Sequence, residues 1–165
     1  MLVVYILLKK ECITVILYHG TWEDNMEKIL EIGYIDNEGH RYSYEDTELI
    51  DSILEEHIGY NPRNSCIYLS NDVDTVEAYD YAFKVDTSLL NLNLLFVGSN
   101  KIIQDIYCEL PRSNPDENKV KKLVQEYADS IIPFSDFLKI NGKIDSDLEF
   151  MYFDKIYVSE SDLVG

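Results

Sequence analysis

Three short stretches hold side chains that could do chemistry. The first is Tyr18-His19-Gly20-Thr21, which closes a β-branched apolar run. A histidine at the end of a strand exchanges hydrogen bonds with hydroxyl groups such as those of a ribose. A glycine beside it lets a flat ring approach the backbone, because no Cβ intervenes. The second is Ile67-Tyr68-Leu69-Ser70, followed eleven residues after Tyr68 by Tyr79. One tyrosine on a strand and one on a following helix would enclose an aromatic ring from two sides. The third is Asp147-Leu148-Glu149-Phe150-Met151-Tyr152-Phe153. Strand alternation puts Leu148, Phe150 and Tyr152 on one face, and Glu149, Met151 and Phe153 on the other. A carboxylate among apolar neighbours is costly unless it meets a partner or faces a cleft.

Each stretch also has a plainer reading. A lone histidine at a strand end is often structural. Among thirteen tyrosines, two in the core need no ligand. A glutamate on a strand can be a charge that guards a sheet edge. The joint order of His, Tyr and Glu along the chain weakens these separate readings.

The elements that would hold these residues follow from hydrophobic patterning. Residues 13–18 read as a buried strand. Thr21 is placed to cap the next helix, with Asp24 as the reciprocal acid. Trp22, Met26, Ile29 and Leu30 keep helical spacing, and Gly33 is a C-terminal stop. Residues 34–43 read as loop. Ser43 would cap a second helix with an apolar stripe from Leu49 to His57. Residues 66–70 form a short strand, and a third helix is expected from Asn71 or Asp72 through Ala82. Residues 83–86 and 92–97 read as strands, and residues 102–110 as a helix closed by Pro111. Asn114-Pro115 signals the start of another helix that reaches Tyr127 and Ile131. Asn141-Gly142 is a turn, and residues 148–153 and 156–158 are the last strands. The order is that of an α+β chain.

The chain has 165 residues, 46% of them apolar, which suits one globular domain over residues 1–165. Residues 2–8 are too few to span a bilayer, and no basic segment or small-residue cleavage site marks a signal peptide. Residues 2–8 are expected to form a strand, turning at Lys9-Lys10-Glu11. Cys12, Cys66 and Cys108 form no Cys-x-x-Cys pattern. They read as reduced thiols of a cytoplasmic protein, with no metal site. The formal net charge is −17. Residues 21–80 hold 16 acids against 3 bases. This field opposes binding to nucleic acid or an anionic membrane, and favours a basic partner.

Together, "LYHGT" with "NMEKILEIGY", "IYLSNDVDTVEAYDYA" and "LEFMYFDKIYV" resemble the ADP-ribosyltransferase fold, in the His-Tyr-Glu branch of diphtheria toxin and the poly-ADP-ribose polymerases. The matching stretches cover under a third of the chain. The resemblance implies two small antiparallel-rich sheets around an NAD cleft, with peripheral helices. It implies that His19 binds the adenine-side ribose of NAD and that the Gly20 backbone holds the nicotinamide carboxamide. Thr21 would lie near that amide, Tyr68 beside the nicotinamide and Tyr79 on its face. Glu149 would hold the 2′-hydroxyl of the nicotinamide ribose. His19, Tyr68 and Glu149 are thus the catalytic candidates, and NAD the co-substrate. Asp147 stands where arginine-specific relatives place a second glutamate, so arginine modification is not inferred. Arg41, Arg63 and Arg112 are the only arginines, and they do not fit an RNA 2′-phosphotransferase. Arg63 or Lys84 would have to offset the acidic field around NAD.

The function that follows is mono-ADP-ribosylation of a macromolecule, with a basic protein of a nucleic-acid-binding complex as the expected partner. Small size, acidity and family habit suit a phage or mobile-element effector, such as an anti-CRISPR or other anti-defence inhibitor. Two other functions compete. One is a non-enzymatic acidic inhibitor that mimics nucleic acid, needs no NAD and weakens steeply with salt. The other is a toxin that hydrolyses NAD itself.

Overall fold

The computed structural model describes residues 14–37, 47–76, 78–110, 116–140, 142–144 and 147–164. In chain order its elements are β1 (Ile16–Thr21), α1 (Glu23–Ile32), β2 (Tyr34–Ile35), α2 (Thr47–Ile58), α3 (Pro62–Ser65), β3 (Ile67–Leu69), β4 (Tyr81–Asp86), β5 (Leu95–Ser99), α4 (Asn100–Glu109), α5 (Glu117–Ser130), β6 (Ile132–Pro133), α6 (Phe134–Lys139), β7 (Leu148–Tyr152), β8 (Ile156–Tyr157) and β9 (Leu163–Val164). The strands make three small sheets, ordered β1-β4-β9, β3-β7-β5-β6 and β2-β8. Every pairing is antiparallel. The architecture is mixed α/β with small antiparallel sheets. Among the described residues no helix is long and apolar enough to cross a membrane.

Strand alternation builds the first core. Leu17 on β1 and Phe83 and Val85 on β4 are buried with Leu69, Leu95, Val97, Phe150 and Tyr152 of the four-stranded sheet. Phe134 and Phe137 of α6 close over them. A second core lies between helices: Ile50 and Leu54 of α2, Ile103 and Ile106 of α4, and Val120, Val124 and Tyr127 of α5. Each fully buried side chain of this size contributes roughly 1.5–3 kcal/mol.

Several expectations are met. The helix after β1 ends at Gly33, whose φ of 80° is the left-handed conformation that glycine adopts without strain. Helices occur over Thr47–Ile58, Asn100–Glu109 and Glu117–Ser130. β7 presents Phe150 and Tyr152 to the first core, as alternation requires.

Other expectations are corrected. Thr21 does not cap α1: it is the last residue of β1, and Trp22 is the N-cap, with no side-chain cap bond. The Glu23 N–H is satisfied instead by Asp80 Oδ2 at 3.2 Å. The third helix is absent among the described residues. A 3₁₀ turn at Val73–Val76 leads through a short connection, with a turn and bend over residues 78–80, into β4. Asp72 Oδ1 accepts the Asp74 N–H at 3.0 Å, a local turn that competes with helix. The next residues alternate as a strand and take the whole of β1 as their partner, from Tyr81 against Thr21 to Asp86 against Ile16. Tyr34–Ile35, expected as loop, pairs with β8. His57 does not join an apolar stripe but meets Asp129 Oδ1 at 2.9 Å. The expected strand at residues 2–8, its turn, Cys12, the cap at Ser43 and the start at Asn114-Pro115 lie outside the described residues.

The cap of α5 within the described residues is Asp116. Its Oδ1 accepts the N–H groups of Asn118 and Lys119, both at 3.1 Å. Asp116→Ala should lower the unfolding free energy by about 1 kcal/mol in urea titration. An unchanged midpoint would show that the cap is dispensable.

Candidate functional site

The two larger sheets touch edge to edge at one bridge. Tyr18 N–H donates to Ser70 O at 2.7 Å, and Ser70 N–H donates to Tyr18 O at 2.9 Å. If this antiparallel ladder continued, the next bonded pair would be Gly20 with Tyr68. It does not continue. The Tyr68 carbonyl is instead bonded by the His19 imidazole, with Nδ1 to O at 3.1 Å. The bonding directions along β1 alternate, so the N–H and C=O of Gly20 point to the same edge as those of Tyr18. Among the described residues no backbone group pairs with them there. The pairing between the sheets therefore breaks here, with the Gly20 edge on one side and Tyr68 on the other.

Gly20 is required by packing as well as position. A Cβ built on it would clash with the Tyr79 ring at Cδ2. That ring stands over the glycine and contacts Trp22, with centroids 5.0 Å apart and planes at 49°. Trp22 is half exposed at 50%. Tyr79 sits in the connection between the 3₁₀ turn and β4, not on a helix, so the expected strand-and-helix setting of the two tyrosines is corrected to a strand and a bend. His19 is only 8% exposed and Thr21 1%. Both alternate with Gly20 and share the inward side of β1 with Leu17. Thr21 Oγ1 lies 3.5 Å from the Trp22 carbonyl.

On the four-stranded sheet, Tyr68 is paired with Met151, and Glu149 follows two residues along the same face of β7. Gly98 of β5 lies opposite Glu149. A Cβ on Gly98 would come 3.0 Å from Met151 Cε and at ordinary contact, 3.6 Å, from Glu149 Oε1, so the absence of a side chain there leaves space for the Met151 methyl. α5 crosses this face and delivers Tyr127. Its phenol donates a hydrogen bond to Glu149 Oε1 and lies 3.9 Å from Met151 Sδ. Burial first, then the charge of Glu149 and its hydrogen bond, push the Tyr127 hydroxyl well above the ordinary phenol range. The nearby Tyr68 side chain acts on the phenol in the lowering direction.

The structure thus brings Gly20, Tyr79 and the Tyr68 backbone to one break in the pairing, and Tyr68 and Glu149 to one sheet face, where Tyr127 meets Glu149. It holds His19 at the junction, and buries Thr21. Two concavities of 230 and 320 Å³ lie elsewhere, along Asp36, Tyr152, Phe153 and Lys155 and along Lys28, Ile32 and Tyr34. None of the six candidate residues lines either one. Of the two cations considered, Lys84 is exposed on β4 opposite Tyr18, on the side of the sheet that Gly20 shares; nothing is described of the Arg63 side chain. Sequence reasoning missed Tyr127 and Trp22, assigning each to an apolar helical stripe. The available signal was chemical: a tyrosine amid such a stripe needs a partner for its hydroxyl, and Glu149 needed a donor.

No known protein family, curated protein or solved structure matches the chain.

Gly20→Ala should cost about 1–3 kcal/mol in urea unfolding, because the ring of Tyr79 must leave the glycine. It should also change the emission of Trp22, the sole tryptophan. Unaltered stability and emission would refute the packing argument. The raised Tyr127 hydroxyl gives a second expectation. The unfolded chain releases this proton near the ordinary value of 10.0, whereas the folded chain retains it. Folded stability from this group is therefore fully present below pH 10.0 and declines as pH rises above it. Urea midpoints of the wild type should fall more steeply above that pH than those of Tyr127→Phe; parallel slopes would contradict it.

Proposed function

We propose that the chain is an NAD-dependent mono-ADP-ribosyltransferase acting on a macromolecule, with its site at the opening beside Gly20 and Tyr68. One observation carries the reading. The ladder between the two sheets stops after a single bridge, which leaves a strand-edge N–H and C=O at Gly20 between an aromatic ring and a sheet face bearing Glu149. A carboxamide pairs with such an edge as a neighbouring strand would, giving and accepting one hydrogen bond each. That is the recognition nicotinamide requires.

The residues then divide the work. Gly20 holds the carboxamide, and Tyr79 and Tyr68 flank the ring. Tyr79 now stands on Gly20, so ring and ligand must share or exchange this place, and Trp22 moves with Tyr79. His19 borders the opening and is the imidazole nearest to an adenine-side ribose. Glu149 holds the 2′-hydroxyl of the nicotinamide ribose. The bond from C1′ to the nicotinamide nitrogen breaks with its electron pair leaving on nicotinamide, and positive charge develops on the ribose. A fixed carboxylate stabilises that charge as it appears, which lowers the barrier. The acceptor atom of the target bonds to C1′ and releases its proton to solvent. With net charge −17, a basic target is favoured, such as a protein of a nucleic-acid-binding complex. The same charge supports the second reading, a non-enzymatic acidic inhibitor that occupies a nucleic-acid groove.

The test combines binding and turnover. NAD should change Trp22 emission saturably. In cell lysate with NAD, the wild type should release nicotinamide and add one ADP-ribose to a macromolecule detected by mass spectrometry. Glu149→Gln should lower that rate by about 10²–10³-fold. Nicotinamide release without an adduct would make the protein an NAD hydrolase. No emission change and no nicotinamide, with a partner retained only at low salt, would replace the enzyme reading by the acidic inhibitor.

A further inference from the structure

We infer that Tyr127 is the positioning residue of Glu149, fixing its carboxylate from the helical side of the sheet. The inference rests on the reading of Glu149 as the charge-stabilising carboxylate of the transferase. Tyr127 itself is 0% exposed; it acts only through Glu149.

Placement of the phenol is over-determined. Val120 and Val124 of the same helix are fully buried in the helical core, which sets the rotation of α5. The last turn is then tied to β5: Ser99 N–H donates to Ser130 Oγ at 3.0 Å, and that hydroxyl donates to the Tyr127 carbonyl at 2.6 Å. Gly98 leaves room for the Met151 methyl beside the pair, since Met151 Cε lies 3.0 Å from where a Cβ would be.

The chemistry explains why this residue is not phenylalanine. A ring alone would fill the same core volume. A buried hydroxyl adds a desolvation cost that only a partner offsets. Here the partner is a carboxylate, whose charged form a donor favours. Reciprocally, the carboxylate and burial keep the proton on the phenol. The other groups that act on the phenol are Tyr68 on β3, which lowers it, and Cys66, whose charge would raise it further if it ionised.

The experiment uses the full chain as wild type, Tyr127→Phe and Glu149→Gln. The side-chain carboxyl of Glu149 is followed by ¹³C NMR against pH, and nicotinamide release from NAD is measured in parallel. In Tyr127→Phe the Glu149 midpoint should move up, because the carboxylate loses a donor. The kcat for nicotinamide release should fall about 10–100-fold, the worth of one hydrogen bond to a charged group, with KM within about twofold. In Glu149→Gln, which leaves the phenol in place, the Tyr127 Cζ titration should shift down toward the ordinary range. This second variant keeps the test decisive where Tyr127→Phe does not fold. An unmoved Glu149 midpoint in folded Tyr127→Phe, or an unmoved Tyr127 titration in Glu149→Gln, overturns the inference. Both titrations shifting while the wild type releases no nicotinamide upholds the pairing and overturns the transferase reading.

Discussion

Two backbone hydrogen bonds between Tyr18 and Ser70 set the relation of the two larger sheets. Antiparallel strands that begin to pair normally go on pairing, because each added bond satisfies groups that would otherwise need water. Here the pairing stops at once. The imidazole of His19 substitutes for the next backbone donor at Tyr68, so the sheets diverge without leaving that carbonyl unsatisfied. This substitution accounts for the burial of a polar side chain at 8% exposure. The other edge of β1 is given wholly to β4, and the Gly20 edge has no backbone partner among the described residues.

The second constraint is the polar face of the four-stranded sheet. Its other face is a conventional apolar layer of Val97, Phe150 and Tyr152. A carboxylate on a central strand, between β3 and β5, is expensive unless something meets it. The helical core supplies that partner through Tyr127. The two apolar cores are therefore not independent. α5 packs on α2 and α4 with Val120 and Val124, and the same helix sets the environment of Glu149. The pin between Glu109 and Lys119 Nζ, at 2.6 Å, fixes α4 against α5 and steadies the same arrangement.

Periodicity exposed the elements whose stabilisation is local. The helix after β1 was legible from its apolar spacing and the left-handed Gly33, and β7 from strict alternation around Phe150. The region from Asn71 to Ala82 was not, because its apolar residues fit a helix as well as a turn and a strand. What decided it was β1, a partner more than fifty residues away in sequence. The cap of α1 failed for the same reason. Thr21 has the right chemistry, but the strand claims it, and Asp80 arrives from β4's connection to take the Glu23 N–H. Of the candidate site, the residue types and their order were readable, while the relation among them was not. The link through Tyr127 depends on a helix crossing a sheet, and no spacing along the chain encodes that.

Electrostatics bears on how a dinucleotide would be held at this site. The start of α1 follows His19-Gly20-Thr21 closely, and a helix N-terminus ordinarily favours a phosphate. This one is already occupied by carboxylates: Asp80 accepts the Glu23 N–H, and Glu23 and Asp24 fill the first turn. Its positive end is thus neutralised, and a diphosphate placed there would meet like charge. On the proposed reading, the donor molecule is held mainly by its flat ring and carboxamide, against Tyr79 and the Gly20 edge. Lys84, opposite Tyr18, is an exposed cation on the side of the sheet that Gly20 shares. Exposed charges more than about 8 Å apart are largely screened at physiological salt, so on that reading the acidity of the rest of the chain would act weakly on a bound ligand. It would act fully on an approaching macromolecule, whose large surface meets many of these charges within that distance. On the proposed reading, aromatic and backbone contacts would select the small molecule and the acidic surface the partner.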